Sequence, residues 1–195
     1  MAALTLLLAA CGLPQSTPGG AATTPTVPEP TFRPAGPPAG LPQARVGRVV
    51  DGDTLDVDPG GRIRLIGIDT PESVDTRRPV ECFAREASSH AAALLNGRTV
   101  RLESDDTQDD KDAFGRLLRY VWLDDGPHAG RQANFEQVVR GYAHEYTFRT
   151  SYKYREQFRQ AQDFARRYQL GLWAPGTCNG FTARAAPTPS PVRSR

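Results

Sequence analysis

The residues of this chain best suited to chemistry are two aspartates, a glutamate and two arginines. They sit in the segments VVDGDT (49–54), RLIGIDTPE (64–72) and DAFGR (112–116). Asp53 stands in a tight turn beside Gly52, where a short carboxylate can point away from the backbone. Asp69 ends a β-like run just before Thr70-Pro71 turns the chain. Two carboxylates on adjacent loop ends suit a hard cation such as Ca²⁺, which takes several oxygen ligands including backbone carbonyls and water. Glu72 follows closely and is placed to orient or deprotonate a water; a purely structural hydrogen bond is its alternative role. Arg64 lies on the run that carries Asp69, and Arg116 follows Gly115 at the opening of a later strand. Guanidinium groups offer paired donors to phosphoryl oxygens and stay charged at every working pH. A metal-aimed water, a base and two charge-neutralising arginines are what hydrolysis of a phosphodiester needs. Singly, Asp53 reads as an ordinary turn aspartate and 69–72 as a capped turn; the joint set points to a site.

The elements that must position these groups follow from periodicity. Residues 46–50 and 55–57 alternate as strands, with Asp51-Gly52-Asp53-Thr54 as the turn between them. A third strand is expected over 62–68. Residues five apart on an ideal strand face opposite sides, so Arg64 and Asp69 converge only if the chain bends at Gly67 or Asp69 lies beyond the last paired residue. A helix is expected over 84–95, stopped by Asn96-Gly97. Strands are expected over 98–103 and 117–123, with an acidic loop at 104–112, and helices over 134–140 and 154–170. Five strands with a helix between the third and fourth predict an α+β, mainly β, fold: a five-stranded OB-type Greek-key barrel with helices packed on it.

The order and spacing of the motifs, including the segment GYAHEYTF (141–148) and a terminal Gly171-Leu172-Trp173, resemble the staphylococcal nuclease (thermonuclease) family over about 46–173. The resemblance implies an OB barrel, Ca²⁺ dependence, and cleavage of DNA, RNA or both to products ending in 3′-phosphates. It implies Asp53 and Asp69 as metal carboxylates, Thr70 as a backbone-carbonyl ligand, and Asp51 as an acid supporting the metal site. It implies Glu72 as the holder of the water, and Arg64 and Arg116 as binders of the scissile phosphate. The family's best-known member has Lys-Tyr where this chain has Ala113-Phe114. Phe114 can pack on a sugar or base but cannot donate a hydrogen bond, so a weaker grip on a terminal phosphate is expected. Phe114, Tyr142, Tyr146 and Phe148 are the candidates for stacking on a base, a contact worth about 1–3 kcal/mol. A non-catalytic, envelope-anchored module that binds nucleic acid or acts as a scaffold is the rival function; it would be marked by loss of the carboxylates and arginines, which are present here.

The rest of the chain bounds these readings. Its 195 residues fit one domain plus tails, and a net charge of +2 does not by itself argue for nucleic acid. No stretch approaches the roughly 20 apolar residues of a membrane-spanning helix. Residues 1–11, MAALTLLLAAC, read as a targeting segment, and Leu8-Ala9-Ala10-Cys11 resembles a lipobox whose Cys11 is lipidated. An ordinary signal peptide is the alternative, and no Lys or Arg precedes the apolar run. The expected location is extracytoplasmic, either secreted or held to the membrane through Cys11, and the expected state is a monomer. Residues 12–43 and 181–195 are rich in Pro, Ala and Thr and read as a disordered tether and tail, leaving 44–180 as the folded unit. Beyond Cys11 an even pair remains, Cys82 and Cys178, expected to form a disulfide in an oxidising compartment, with two free thiols as the alternative. The acidic loop lacks the sixth-position Gly and twelfth-position Glu of a calcium-binding loop and reads as solvated. Asp112 is the exception, placed to support the Gly115-Arg116 turn. His90, His128 and His144 lack metal-ligand spacing. Arg77 and Arg78 lie near the site in sequence, as substrate contacts or as surface charge.

Overall fold

A computed structural model describes residues 27–73 and 79–182 of the chain. Cys11, the targeting segment, the first half of the Pro-rich stretch, Arg77, Arg78 and the tail from residue 183 lie outside the described residues. The elements run β1 (Gln43–Val49), β2 (Thr54–Asp58), β3 (Gly61–Leu65), β4 (Ile68–Asp69), α1 (Ala84–Leu95), β5 (Thr99–Glu103), β6 (Leu117–Leu123), α2 (Ala133–Val139), β7 (His144–Glu145) and α3 (Arg155–Arg167), followed by a 3₁₀ turn (Gly171–Trp173). Five strands close a barrel in the order β1-β2-β3-β6-β5, and three helices pack on it, which is an OB-type α+β fold.

Alternation sets which side chains fill the barrel. Val46, Leu55, Val57, Ile63, Leu65 and Val100 are buried. Between Leu55 and Val57, Asp56 points outward and pairs with Arg48 and Arg62. On β6 the alternation fails: Tyr120, Val121, Trp122 and Leu123 are all buried, because α2 covers the strand's outer face. Helix α2 is itself buried at every position, and α3 presents Phe158, Ala161 and Ala165 at helical spacing to the core.

Two local departures shape the site. The expected strand over 62–68 breaks after Leu65, where Gly67 takes φ +78 and turns the chain into β4. A side chain at Gly67 would also meet the Tyr152 ring at 2.5 Å, so the bend needs glycine on two counts. Beyond the bend, β4 pairs with β7, setting Asp69 opposite His144; the sequence pattern did not indicate this pairing.

The packed unit also begins upstream of residue 44. Phe32 sits edge-on to Phe135 and Phe164, with centroids 6.0 and 5.9 Å away. Arg33 pairs with the buried carboxylate of Glu136 and lies 5.2 Å from the Phe135 centroid. An aromatic anchor and the partner of a buried charge therefore order a segment whose composition reads as tether. At the other end, Cys82 and Cys178 are joined as a disulfide with Cα atoms 5.9 Å apart, tying the start of α1 to the C-terminal segment. Among the described residues no helix is long and apolar enough to cross a membrane.

Candidate active site

The site sits where the β1–β2 turn, the β3–β4 bend and the start of β6 meet. Parallel pairing of β3 with β6 sets Ile63 opposite Leu117 and Arg64 opposite Leu118. Arg116, just before β6, is thereby brought beside the strand that carries Arg64. Between them stands Thr54, paired across strands with Arg64 and accepting a hydrogen bond from Arg116 Nη1 at 3.2 Å. The sequence reading did not single out Thr54, whose motif position beside Asp53 was the available signal.

Asp53 is the buried centre of the constellation. Its Oδ2 accepts from the Thr70 N–H at 3.0 Å and the Thr70 hydroxyl at 2.9 Å, and its Oδ1 accepts from the Thr54 hydroxyl at 3.1 Å. Arg64 lies between the two metal-type carboxylates, with Nη1 ion-paired to Asp53 and Nη2 bonded to Asp69 at 3.0 Å. The Asp53 N–H donates to Asp51 Oδ1 at 3.1 Å. Gly52 is pressed against Thr70 so closely that a Cβ there would meet Thr70 Cγ2 at 2.7 Å.

The electrostatics follow from this crowding. Burial, and then the neighbouring Asp53 charge, push the Asp51 carboxyl up to about 6. The pocket wall desolvates Asp69 and raises it, against the pull of Arg64 and with help from Asp53 and Glu81. Burial alone would lower the Arg64 guanidinium, but Asp53, Asp69 and Asp51 raise it instead. Burial likewise works to raise Asp112, but the N–H groups of Arg116 and Phe114 and the Arg116 side chain hold it below the usual carboxylate range.

Asp112 is the support of Arg116. One carboxylate oxygen accepts from the backbone N–H groups of Phe114 and Arg116, both at 2.9 Å, and the other from Arg116 Nε at 2.6 Å. The guanidinium is thus fixed at its inner edge by Asp112 and Thr54. Glu72 is anchored through its backbone: its N–H donates to Glu81 Oε2 and its carbonyl accepts the Glu81 N–H, each at 3.0 Å. Glu81, unremarked in the sequence, ties the Glu72 segment to residues beside the disulfide.

Asp51, Asp53, Arg64, Asp69, Thr70, Glu72 and Arg116 line one cavity of about 150 Å³. Every residue that the sequence reading placed in the catalytic and metal sets therefore lines this cavity. The cavity adjoins a groove of about 910 Å³ that shares Arg64, Asp69 and Arg116 and is edged by Phe114, Tyr146, Phe148 and Arg149. Phe114 is 83% and Phe148 68% exposed, each with an arginine over its ring. Tyr142 is the exception among the stacking candidates. It does not line the groove; it lies flat on His90, centroids 4.0 Å apart at 6°, and stacks on Phe83 at 5.5 Å. Its ring is already used inside the protein.

The donor set can be judged for a metal. Asp53, Asp69 and the Thr70 carbonyl are all oxygen donors, which fits a hard cation and not a thiolate- or imidazole-preferring one. Among the described residues no group of three or more His, Cys, Asp or Glu side chains is arranged to hold an ion. A two-carboxylate site relies on backbone carbonyl and water for its remaining ligands, as hard cations accept. No histidine lines the cavity: His90 is stacked as described, and His144 lies edge-on to Trp173.

Comparison with known proteins bears on this geometry. A family model described as Staphylococcal nuclease homologue matches residues 62–175, which include Arg64, Asp69, Glu72 and Arg116. The chain is 39% identical over 134 residues to a thermonuclease of Staphylococcus hyicus, covering 67% of this chain and 75% of that protein. It is 40% identical over 131 residues to a thermonuclease of Staphylococcus intermedius, covering 66% and 74%. It is 31% identical over 131 residues to endonuclease YncB of Bacillus subtilis, covering 65% and 59%.

Proposed function

The chain belongs to the staphylococcal nuclease family and is a phosphodiester-hydrolysing nuclease, and on that premise we propose that it is an exported, Ca²⁺-dependent enzyme acting on DNA, RNA or both to leave 3′-phosphate ends. The observation that carries the reading is the gathering of both arginines and the acidic set on one small cavity beside a larger groove. Asp53, Asp69 and the Thr70 carbonyl would hold the ion. A bound hard cation lowers the pKa of a water and neutralises phosphoryl charge.

The protein's own groups supply the rest. Arg64 on β3 and Arg116 just before β6 line the cavity and neutralise the phosphoryl oxygens as charge builds on them. Arg116 meets this task preorganised, because Asp112 and Thr54 already hold its inner edge. Glu72 takes the proton of the attacking water. The new P–O bond forms as the bond to the 5′-oxygen breaks, and that oxygen leaves as a hydroxyl after gaining a proton from solvent. Phe114, Tyr146 and Phe148 edge the groove where flanking bases would stack. The Cys82–Cys178 disulfide supports an oxidising destination. Lipidation at Cys11 would add a membrane anchor to a monomeric enzyme.

The test is digestion of single-stranded DNA and of RNA by the purified chain with Ca²⁺ and with excess chelator, followed by end-group analysis. Cutting is expected with Ca²⁺ alone, with 3′-phosphate ends. Undiminished cutting in chelator would sink the metal assignment. Mass spectrometry of the mature N-terminus tests Cys11.

A further inference from the structure

One buried amide reaches the acidic turn from helix α2. Gln137, in the middle of α2, is 0% exposed. Its Nε2 donates to the Gly52 carbonyl at 2.7 Å and lies 3.4 Å from the Ala87 carbonyl of α1. Its Oε1 bonds His90 Nδ1, and its backbone carbonyl accepts from Tyr142 and Ala143 at 2.8 and 3.1 Å. The Gly52 carbonyl and the Asp53 N–H belong to the same peptide unit. Gln137 holds the carbonyl end, and Asp51 holds the N–H end. The plane that sets the direction of the Asp53 side chain is therefore gripped at both ends. A buried amide facing two carbonyls and a ring nitrogen has one orientation that satisfies them all: NH₂ towards Gly52 and Ala87, oxygen towards a protonated Nδ1. The flat stack of His90 on Tyr142 fixes the ring that keeps it so.

We propose that Gln137 is a positioning residue for the acidic turn, oriented by His90, and that it tunes the affinity of Asp53 for the divalent cation. The inference rests on reading Asp53 as a metal ligand. On the same helix the buried Asn134 bonds the Ile66 and Arg119 carbonyls and the buried Glu136 pairs with Arg33 and Arg140, whereas Gln137 bonds the acidic turn. An interaction that orients a ligand is worth about 10- to 100-fold in metal affinity or activity.

The experiment uses the full chain and reads two quantities. The first is the Ca²⁺ concentration at half-saturation, from the rise of Tm with Ca²⁺. The second is kcat and KM on single-stranded DNA at saturating Ca²⁺. Gln137→Met keeps the volume and deletes the donor. It is expected to raise half-saturating Ca²⁺ about 10-fold or more and to lower kcat while KM holds. Val138→Ala is the structural control, a core lesion in the same helix with no path to Gly52; it should lower Tm without moving half-saturation. If both variants move half-saturation alike, or neither does, the positioning role is overturned. His90→Phe keeps a ring on Tyr142 and removes the bond that orients Gln137. It should act in the same direction with smaller size, and it carries the test if Gln137→Met does not fold; parent values in it then overturn the proposal. Asp53→Asn separates the premise. If that variant keeps parent half-saturation, the metal reading fails and the proposal with it. If it abolishes the Ca²⁺ response while Gln137→Met does not change it, only the positioning role fails.

Discussion

Substituting Gly67 by alanine tests the bend that brings Arg64 and Asp69 together. Gly67 holds φ +78, where a Cβ costs about 1–2 kcal/mol. The added carbon would lie 2.5 Å from Tyr152 Cε2, 2.7 Å from Cζ and 3.0 Å from Phe158 Cε2, so one of these rings or the backbone must move. Overpacking of this kind costs about 1–3 kcal/mol. The rings have little room, since Tyr152 bonds the Gly67 carbonyl at 3.1 Å and Glu145 Oε1 at 2.9 Å. The expected loss is the sum, about 2–5 kcal/mol, or roughly 6–15 °C of Tm at about 3 °C per kcal/mol for a domain of this size. Urea unfolding measures it. Tyr152→Ala should remove the two shortest contacts and leave only the one to Phe158, so Gly67→Ala should cost less in that background than in the parent, approaching about 1–2 kcal/mol. Equal cost in the two backgrounds refutes the steric argument, and a cost under about 0.5 kcal/mol refutes the bend argument altogether.

Arg116→Ala is expected to cost on the order of 10²-fold or more in kcat, with stability little changed; cutting at the parent rate removes Arg116 from the mechanism. Cys82→Ser with Cys178→Ser should lower unfolding free energy by about 2–5 kcal/mol, since the bridge closes a 96-residue separation, and an unchanged urea midpoint contradicts this. Burial holds His90 below its usual value, against the hydrogen bond to Gln137 and with help from Arg140. The unfolded chain therefore takes this proton first: the stability is fully present above about pH 6.5 and declines as pH falls through the folded value. His90→Phe should flatten that limb of the Tm–pH curve, and an identical curve would rule His90 out as its source.

Much of the fold was legible. Alternation in 55–57 and 62–65 and the glycine at 67 indicated two strands and a bend, because strand period and positive φ are local properties. The end of the third strand was missed, because Ile66 and Ile68 continue the apolar pattern although the chain turns at Gly67 and Ile68 pairs with Glu145 of β7. Phe32 and Arg33 were hidden in a Pro-rich composition, since composition averages over the two residues that matter. Tyr142 looked equivalent to Tyr146 and Phe148 in sequence. A ring four residues from another on an irregular segment has no fixed face, and packing sent this one to His90.

By itself the sequence determined the inventory: which carboxylates and guanidinium groups exist, and that their order matches a nuclease family. Tertiary structure decided their company. Arg116 meets Thr54 across 62 residues, and Gln137 meets Gly52 across 85. Such contacts are set by parallel strand register and helix docking, which depend on the burial of the whole core, and no local pattern in the chain encodes them.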